Sequence, residues 1–167
     1  MIIKLLKKVY ESPDDFAVRT PINELVCKIA HFHGGYYLYN KMGDQIAQII
    51  LESNTAYLSI SGTVPVYPAS IKMVYTGHGS FVFSSDYLER DDEQYLSNIK
   101  GKKAADVFNL RGDTLDYSYD LYNGNKVYAN IVPSSTEKDY YLIRTSNEAN
   151  ILKTILIALA IDFFVSQ

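Results

Sequence analysis

Three histidines, one cysteine and a short run of lysines are the side chains of this 167-residue chain from which chemistry is first sought. His31 and His33, in His31-Phe32-His33-Gly34-Gly35, are two apart, so on a strand they share a face and offer two imidazoles to a metal. Only His78 is left to supply a third, and two imidazoles do not make a ligand set, so no metal site is assigned. Ser, His and Asp all occur, but no Gly-x-Ser-x-Gly elbow carries them, which argues against a hydrolase of that design. Gly77-His78-Gly79-Ser80 is glycine-rich, yet it joins two strand patterns and opens no helix, so it lacks the helix N-terminus that a phosphate loop needs. Cys27 alternates with Leu25 and Ile29 and reads as a small core or interface residue rather than a nucleophile. Arg111-Gly112-Asp113 matches an adhesion tripeptide, but it is also a natural hairpin turn, and the turn is the reading taken. No catalytic residue is assigned, and no cofactor is expected.

One cluster remains. Lys100, Lys102 and Lys103 are the best candidates for a surface that binds anions, helped by Lys4, Lys7 and Lys8 near the amino terminus. An anionic lipid surface gains about 1 kcal/mol for each basic residue held close to it. The whole chain carries 16 basic and 19 acidic residues, a net charge of −3, without the basic excess of a nucleic-acid-binding domain. A single cysteine excludes an internal disulfide framework and points to a reducing, cytoplasmic setting. Met1 to Tyr10 mixes apolar and basic residues too quickly for the apolar core of a secretory signal.

The elements that would position these residues are strands. Fifteen tyrosines and seven phenylalanines favour β structure. To about residue 145 the apolar pattern has period two, broken by turn residues every eight to twelve positions. The strands expected are Leu5–Val9, Phe16–Arg19, Glu24–Phe32, Tyr36–Asn40, Gln45–Leu51, Tyr57–Ser61, Val66–Thr76 and Ser80–Ser84. After a solvated connection over Asp86 to Lys103 come Ala105–Leu110, Leu115–Tyr122, Lys126–Val132 and Asp139–Thr145, making twelve strands in one domain, 1–167.

The pattern repeats itself. Tyr37-Leu38-Tyr39-Asn40, a glycine turn and Ile46-Ala47-Gln48-Ile49 recur as Asp120-Leu121-Tyr122-Asn123, a glycine turn and Val127-Tyr128-Ala129-Asn130-Ile131. Tyr57-Leu58 and Tyr141-Leu142 extend the match, giving two six-strand pseudo-repeats.

The carboxy-terminal segment differs in kind. Thr145 and Glu148 have capping-box spacing ahead of the apolar run Ile151 to Val165, so a helix is expected over 147–165. Lys153 and Asp162 point to opposite sides, and the helix between them is apolar all round, as in a large core or a membrane. Its longest uninterrupted apolar stretch, Ile155–Ile161, is far short of the roughly 17–25 residues of a span, so burial is expected. Twelve strands closing on themselves make a barrel roughly 24 Å across, wide enough for a helix of about 10–12 Å. A closed antiparallel barrel around a carboxy-terminal hydrophobic helix is therefore the expected fold.

Two six-strand halves, the hairpins Tyr36–Leu51 and Tyr117–Val132 and a terminal apolar helix resemble the tubby-like C-terminal superfamily, and within it the LURP-one-related group. The resemblance implies a twelve-stranded barrel around a central helix, and relatives that bind phosphoinositides or act at phospholipid membranes. It transfers no binding residue to a position in this chain. The expected function is a non-enzymatic binding module for anionic phospholipid headgroups or a membrane surface. The alternative is a protein-interaction or regulatory module with no lipid role, and the third reading is an enzyme.

Overall fold

The alternation of apolar and polar residues builds strands with one inward and one outward face. In the computed structural model, which describes residues 1–32, 34–60, 69–84 and 106–167, twelve antiparallel strands are found among the described residues. In the first half these are β1 (Ile2–Leu6), β2 (Phe16–Arg19), β3 (Leu25–Phe32), β4 (Gly35–Tyr39), β5 (Gln45–Glu52) and β6 (Thr55–Ile60). In the second half they are β7 (Ala69–Gly77), β8 (Ser80–Ser84), β9 (Phe108–Asp113), β10 (Ser118–Asn123), β11 (Lys126–Pro133) and β12 (Tyr140–Arg144). Helix α1 (Ile151–Val165) follows a 3-10 turn at Glu148–Asn150.

The strands do not close into a barrel. They form two sheets, one of five strands in the order β1-β12-β11-β10-β9 and one of seven in the order β2-β3-β4-β5-β6-β7-β8. The order follows a ring, but β1 and β2 adjoin without a hydrogen-bonded ladder, and so do β8 and β9. The physical reason at the first seam lies in the backbone after Leu6. Lys8 adopts a left-handed conformation (φ 51°), and its N–H donates to the Asp162 carboxylate instead of a neighbouring strand. A 3-10 turn at Val9–Glu11 and the Ser12-Pro13 step then carry the chain away, and β2 is only four residues long. Side chains bridge the seams where a ladder is missing. Phe16 meets Tyr140 at 6.3 Å across one, and Phe83 meets Phe108 at 6.1 Å across the other. The Thr114 hydroxyl also donates to the Gly79 carbonyl at 2.7 Å, joining the β7–β8 turn to the β9–β10 loop.

The internal repeat is real in register. Leu38 faces Ala47 as Leu121 faces Ala129, Tyr36 faces Ile49 as Tyr119 faces Ile131, and all eight are buried. Each hairpin has its register shift at the same place, after Leu38 in one and after Leu121 in the other. The third element matches one residue away from the letters. Leu58 opposes Ile49 and Ile143 opposes Ile131, so buried Leu58 corresponds to buried Ile143, not to the outward-facing Leu142. The two halves do not make sheets of six, because β2 pairs with β3 whereas β8 pairs with β7, which puts both extra strands in one sheet.

Helix α1 belongs to the core. Ile155 to Ile161 are all buried, and these residues form one apolar cluster with the inward faces of both sheets. Among the described residues no helix is long and apolar enough to cross a membrane. The expected Thr145–Glu148 capping box is not formed: Asn147 caps the 3-10 turn by accepting from the Ala149 N–H at 3.0 Å, and Thr145 supports Asn147. Truncating a buried leucine costs about 2–5 kcal/mol of a total near 5–15. Leu159→Ala is therefore expected to lower the urea midpoint in proportion, and deletion of residues 147–167 to leave an aggregating, unfolded chain. A folded, monodisperse deletion product would show that the sheets do not depend on the helix.

Candidate functional site

Two recesses among the described residues offer candidate sites, and each lies beside the end of a strand. The first is a groove of about 480 Å³ along the β1–β2 seam. Ile2, Ile3, Phe16, Ala17 and Leu142 supply apolar surface, and Lys4, Arg19 and Asn23 supply polar groups. Cations cluster on the outward faces beside it. Arg144 lies opposite Ile2 in the β1–β12 ladder, and Lys28 lies opposite Ala17 in the β2–β3 ladder. Both are exposed, and among the described residues neither they nor Arg19 makes an ion pair. The Lys4 ammonium sits 4.6 Å from the centre of the Tyr140 ring and 2.8 Å from the exposed Glu137 carboxylate, a pairing of little strength in water.

The second recess lies at the carboxy-terminal end of α1, next to the most polar part of the core. Asp162 is 3% exposed, and its charge is satisfied by three donors: the Lys8 N–H at 2.7 Å, the Tyr117 hydroxyl at 2.5 Å and the Ser166 hydroxyl at 2.9 Å. Tyrosines surround it. Burial, reinforced by the Asp162 charge, raises the hydroxyls of Tyr36, Tyr119 and Tyr141 well above their ordinary value. Tyr117 is raised by burial and by its hydrogen bond to Asp162. Tyr36 and Tyr119 hold equivalent places in the two repeats, so the internal symmetry brings two aromatic rings to one end of the helix. At the other end, Lys153 reaches the Asp106 carboxylate at 2.6 Å.

The residues singled out from sequence are scattered. Lys100, Lys102 and Lys103 lie outside the described residues, as does His33. Lys4 reaches the groove, Lys7 lies over the Tyr117 ring at 4.8 Å, and Lys8 contributes its backbone N–H. His31 Nε2 is 2.8 Å from the Ser12 carbonyl, and the described residues contain no group of three or more metal-binding side chains. His78 and Gly79, both with positive φ, form the two-residue turn between β7 and β8. Cys27 is fully buried, and burial pushes its thiol up to about 12. Arg111-Gly112-Asp113 ends strand β9 and is not itself the turn. A side chain at Gly112 would meet the Ser118 carbonyl at 2.5 Å, and Asp113 spends its carboxylate on the N–H groups of Leu115 and Asp116. Arg19, Lys28 and Arg144 went unremarked in the sequence because they are isolated there; the signal was their place at outward positions of strands that turn out to be neighbours.

Two tests follow from the buried hydroxyls. Tyr117→Phe removes a donor to a buried carboxylate and is expected to cost about 1–3 kcal/mol in equilibrium unfolding. Raised values also make stability fall in alkali, because the unfolded chain releases protons that the folded chain keeps. Cys27 rises from 9.0 to about 12 and Tyr128 from 10.0 to about 12, so their contribution is complete below about pH 9 and lost as pH climbs through 12. Tyrosinate absorbance of the buried rings should then appear together with loss of the fold; its appearance in a folded protein would contradict the burial.

No protein-family model and no curated protein matches the chain. A solved structure of a protein from Arabidopsis thaliana is similar over 96% of this chain and 91% of its own length, with 13% identity and a TM-score of 0.60. At that identity the likeness is one of fold alone, and it extends over almost all of both chains.

Proposed function

We propose that this chain is a non-catalytic binding module whose β1–β2 groove receives the anionic headgroup of a phospholipid at a membrane surface. The observation that carries the reading is the coincidence, at an interrupted sheet edge, of exposed apolar surface with Lys4, Arg19, Lys28 and Arg144, three of them free of carboxylate partners among the described residues. Ile2 is 43% exposed beside Arg144, so an apolar contact and a charge are offered together. The resemblance to tubby-like and LURP-one-related proteins supports the same ligand class, and the single buried thiol suits a cytoplasmic setting. At about 1 kcal/mol for each cation near an anionic surface, the three without carboxylate partners contribute about 3 kcal/mol.

The alternative is a protein-interaction module, favoured by one feature of the same seam. β1 and β2 each have one edge unpaired in a sheet ladder, and an extended segment of a partner could hydrogen-bond to either. Salt separates the two readings, since charge attraction at an exposed surface is screened and strand pairing is not. Vesicles of phosphatidylcholine with phosphatidylserine are expected to sediment the protein at low salt and to release it at high salt, whereas phosphatidylcholine alone should not bind. The triple variant Arg19→Glu, Lys28→Glu, Arg144→Glu should abolish sedimentation with an unchanged melting temperature. If that variant still binds and Lys100→Glu, Lys102→Glu, Lys103→Glu does not, the contact belongs to the lysine cluster and the groove assignment is wrong.

A further inference from the structure

The cleft at the carboxy-terminal end of α1 differs in chemistry from the β1–β2 groove. It has a volume of about 230 Å³, and aromatic rings of Tyr10, Phe32, Tyr36 and Phe163 line it. Phe163 meets Tyr10 edge-on at 5.3 Å, which holds the two rings at a steep angle. Gly34 and Gly35 lie at the rim, and a side chain at Gly35 would meet the Ile49 carbonyl at 2.5 Å, so β4 presses closely against β5 there.

Negative groups act on these rings, and the Lys7 ammonium lies over the nearby Tyr117 ring, 4.8 Å from its centre. The carbonyl end of a helix carries the negative pole of its dipole, and α1 ends here at Val165. The Asp162 carboxylate lies behind the rings, and Glu11 follows Tyr10 directly; both charges act on the Tyr10 hydroxyl. Among the described residues no lysine or arginine lines the cleft, and His31 is engaged by the Ser12 carbonyl. Aromatic faces attract cations, and they do so most strongly where water is partly excluded. A recess of this size also falls below the usual range for drug-sized ligands, which limits the occupant to a small group.

The geometry points to a binding site for a small free organic cation, a methylated ammonium ion, held by the rings of Tyr10, Phe32 and Phe163 at the negative end of α1. The rings supply the contact and the helix terminus supplies the sign, so a neutral molecule of the same shape is disfavoured. This assignment is independent of the phospholipid reading, because no residue lining one recess lines the other.

The probes are choline and its uncharged carbon isostere, 3,3-dimethylbutan-1-ol, titrated into the full-length protein and followed by the ring resonances of Tyr10, Phe32 and Phe163. Choline is expected to give saturable shifts at these rings, and the isostere to bind about tenfold more weakly, the loss that corresponds to the cation–π attraction. Tyr10→Phe keeps the ring and should retain binding, whereas Tyr10→Leu and Phe163→Leu should each weaken it about fivefold. Should Phe163→Leu unfold, the half-exposed Phe32→Leu variant supplies the same comparison. Equal affinity for the isostere would reduce the cleft to an apolar pocket and overturn the assignment. The absence of saturable shifts at these rings would overturn it as well.

Discussion

A fifteen-residue helix with no polar face must be covered on every side, and that requirement organises this molecule. Neither sheet is enough to do it, and the inward faces of both join α1 in one apolar cluster. The single carboxylate of the helix, Asp162, turns an apolar plug into a fixed one. Its three hydrogen bonds come from the segment after β1, from Tyr117 ahead of β10 and from Ser166 just past the end of the helix. An unpaired charge at that depth would cost several kcal/mol, so the tyrosine and the Lys8 backbone are held where the carboxylate needs them.

That same bond lies just past the end of β1, beside the open seam. The Lys8 N–H is given to Asp162, and the chain enters a left-handed residue and a 3-10 turn where a continuing strand would have kept its ladder. The twelve strands keep ring-like order, yet the ring is broken beside β1 and again beside β9. At the first break an apolar groove with cations on its flanks is exposed. At the end of the helix, where the tyrosines of both repeats converge on Asp162, an aromatic cleft forms.

Strands at Phe16–Arg19 and Ser80–Ser84, the buried helix, the core placement of Cys27 and the twin hairpins were legible in the sequence, because period and turn residues are local signals. The registers of the hairpins came from the structure, where Leu38 faces Ala47 and Leu121 faces Ala129. The Tyr57-Leu58 match with Tyr141-Leu142 misled because letters carry no facing: Tyr57 is outward whereas Tyr141 is buried. Ala105–Leu110 was misplaced for a related reason. The glycine of Arg111-Gly112-Asp113 looked like a turn, whereas it permits close strand approach inside β9.

By itself, then, the sequence determined element type: a predominantly β chain in two related halves, ending in a helix too apolar for a surface. Composition and periodicity act over a few residues, and that range suffices for such properties. Only tertiary structure decided that twelve strands divide five and seven, because closure depends on whether two distant edges meet in register. It also decided which cations share a face. Arg19, Lys28 and Arg144 are far apart along the chain, and only the pairing of β2 with β3 and of β1 with β12 brings them to the sides of one groove.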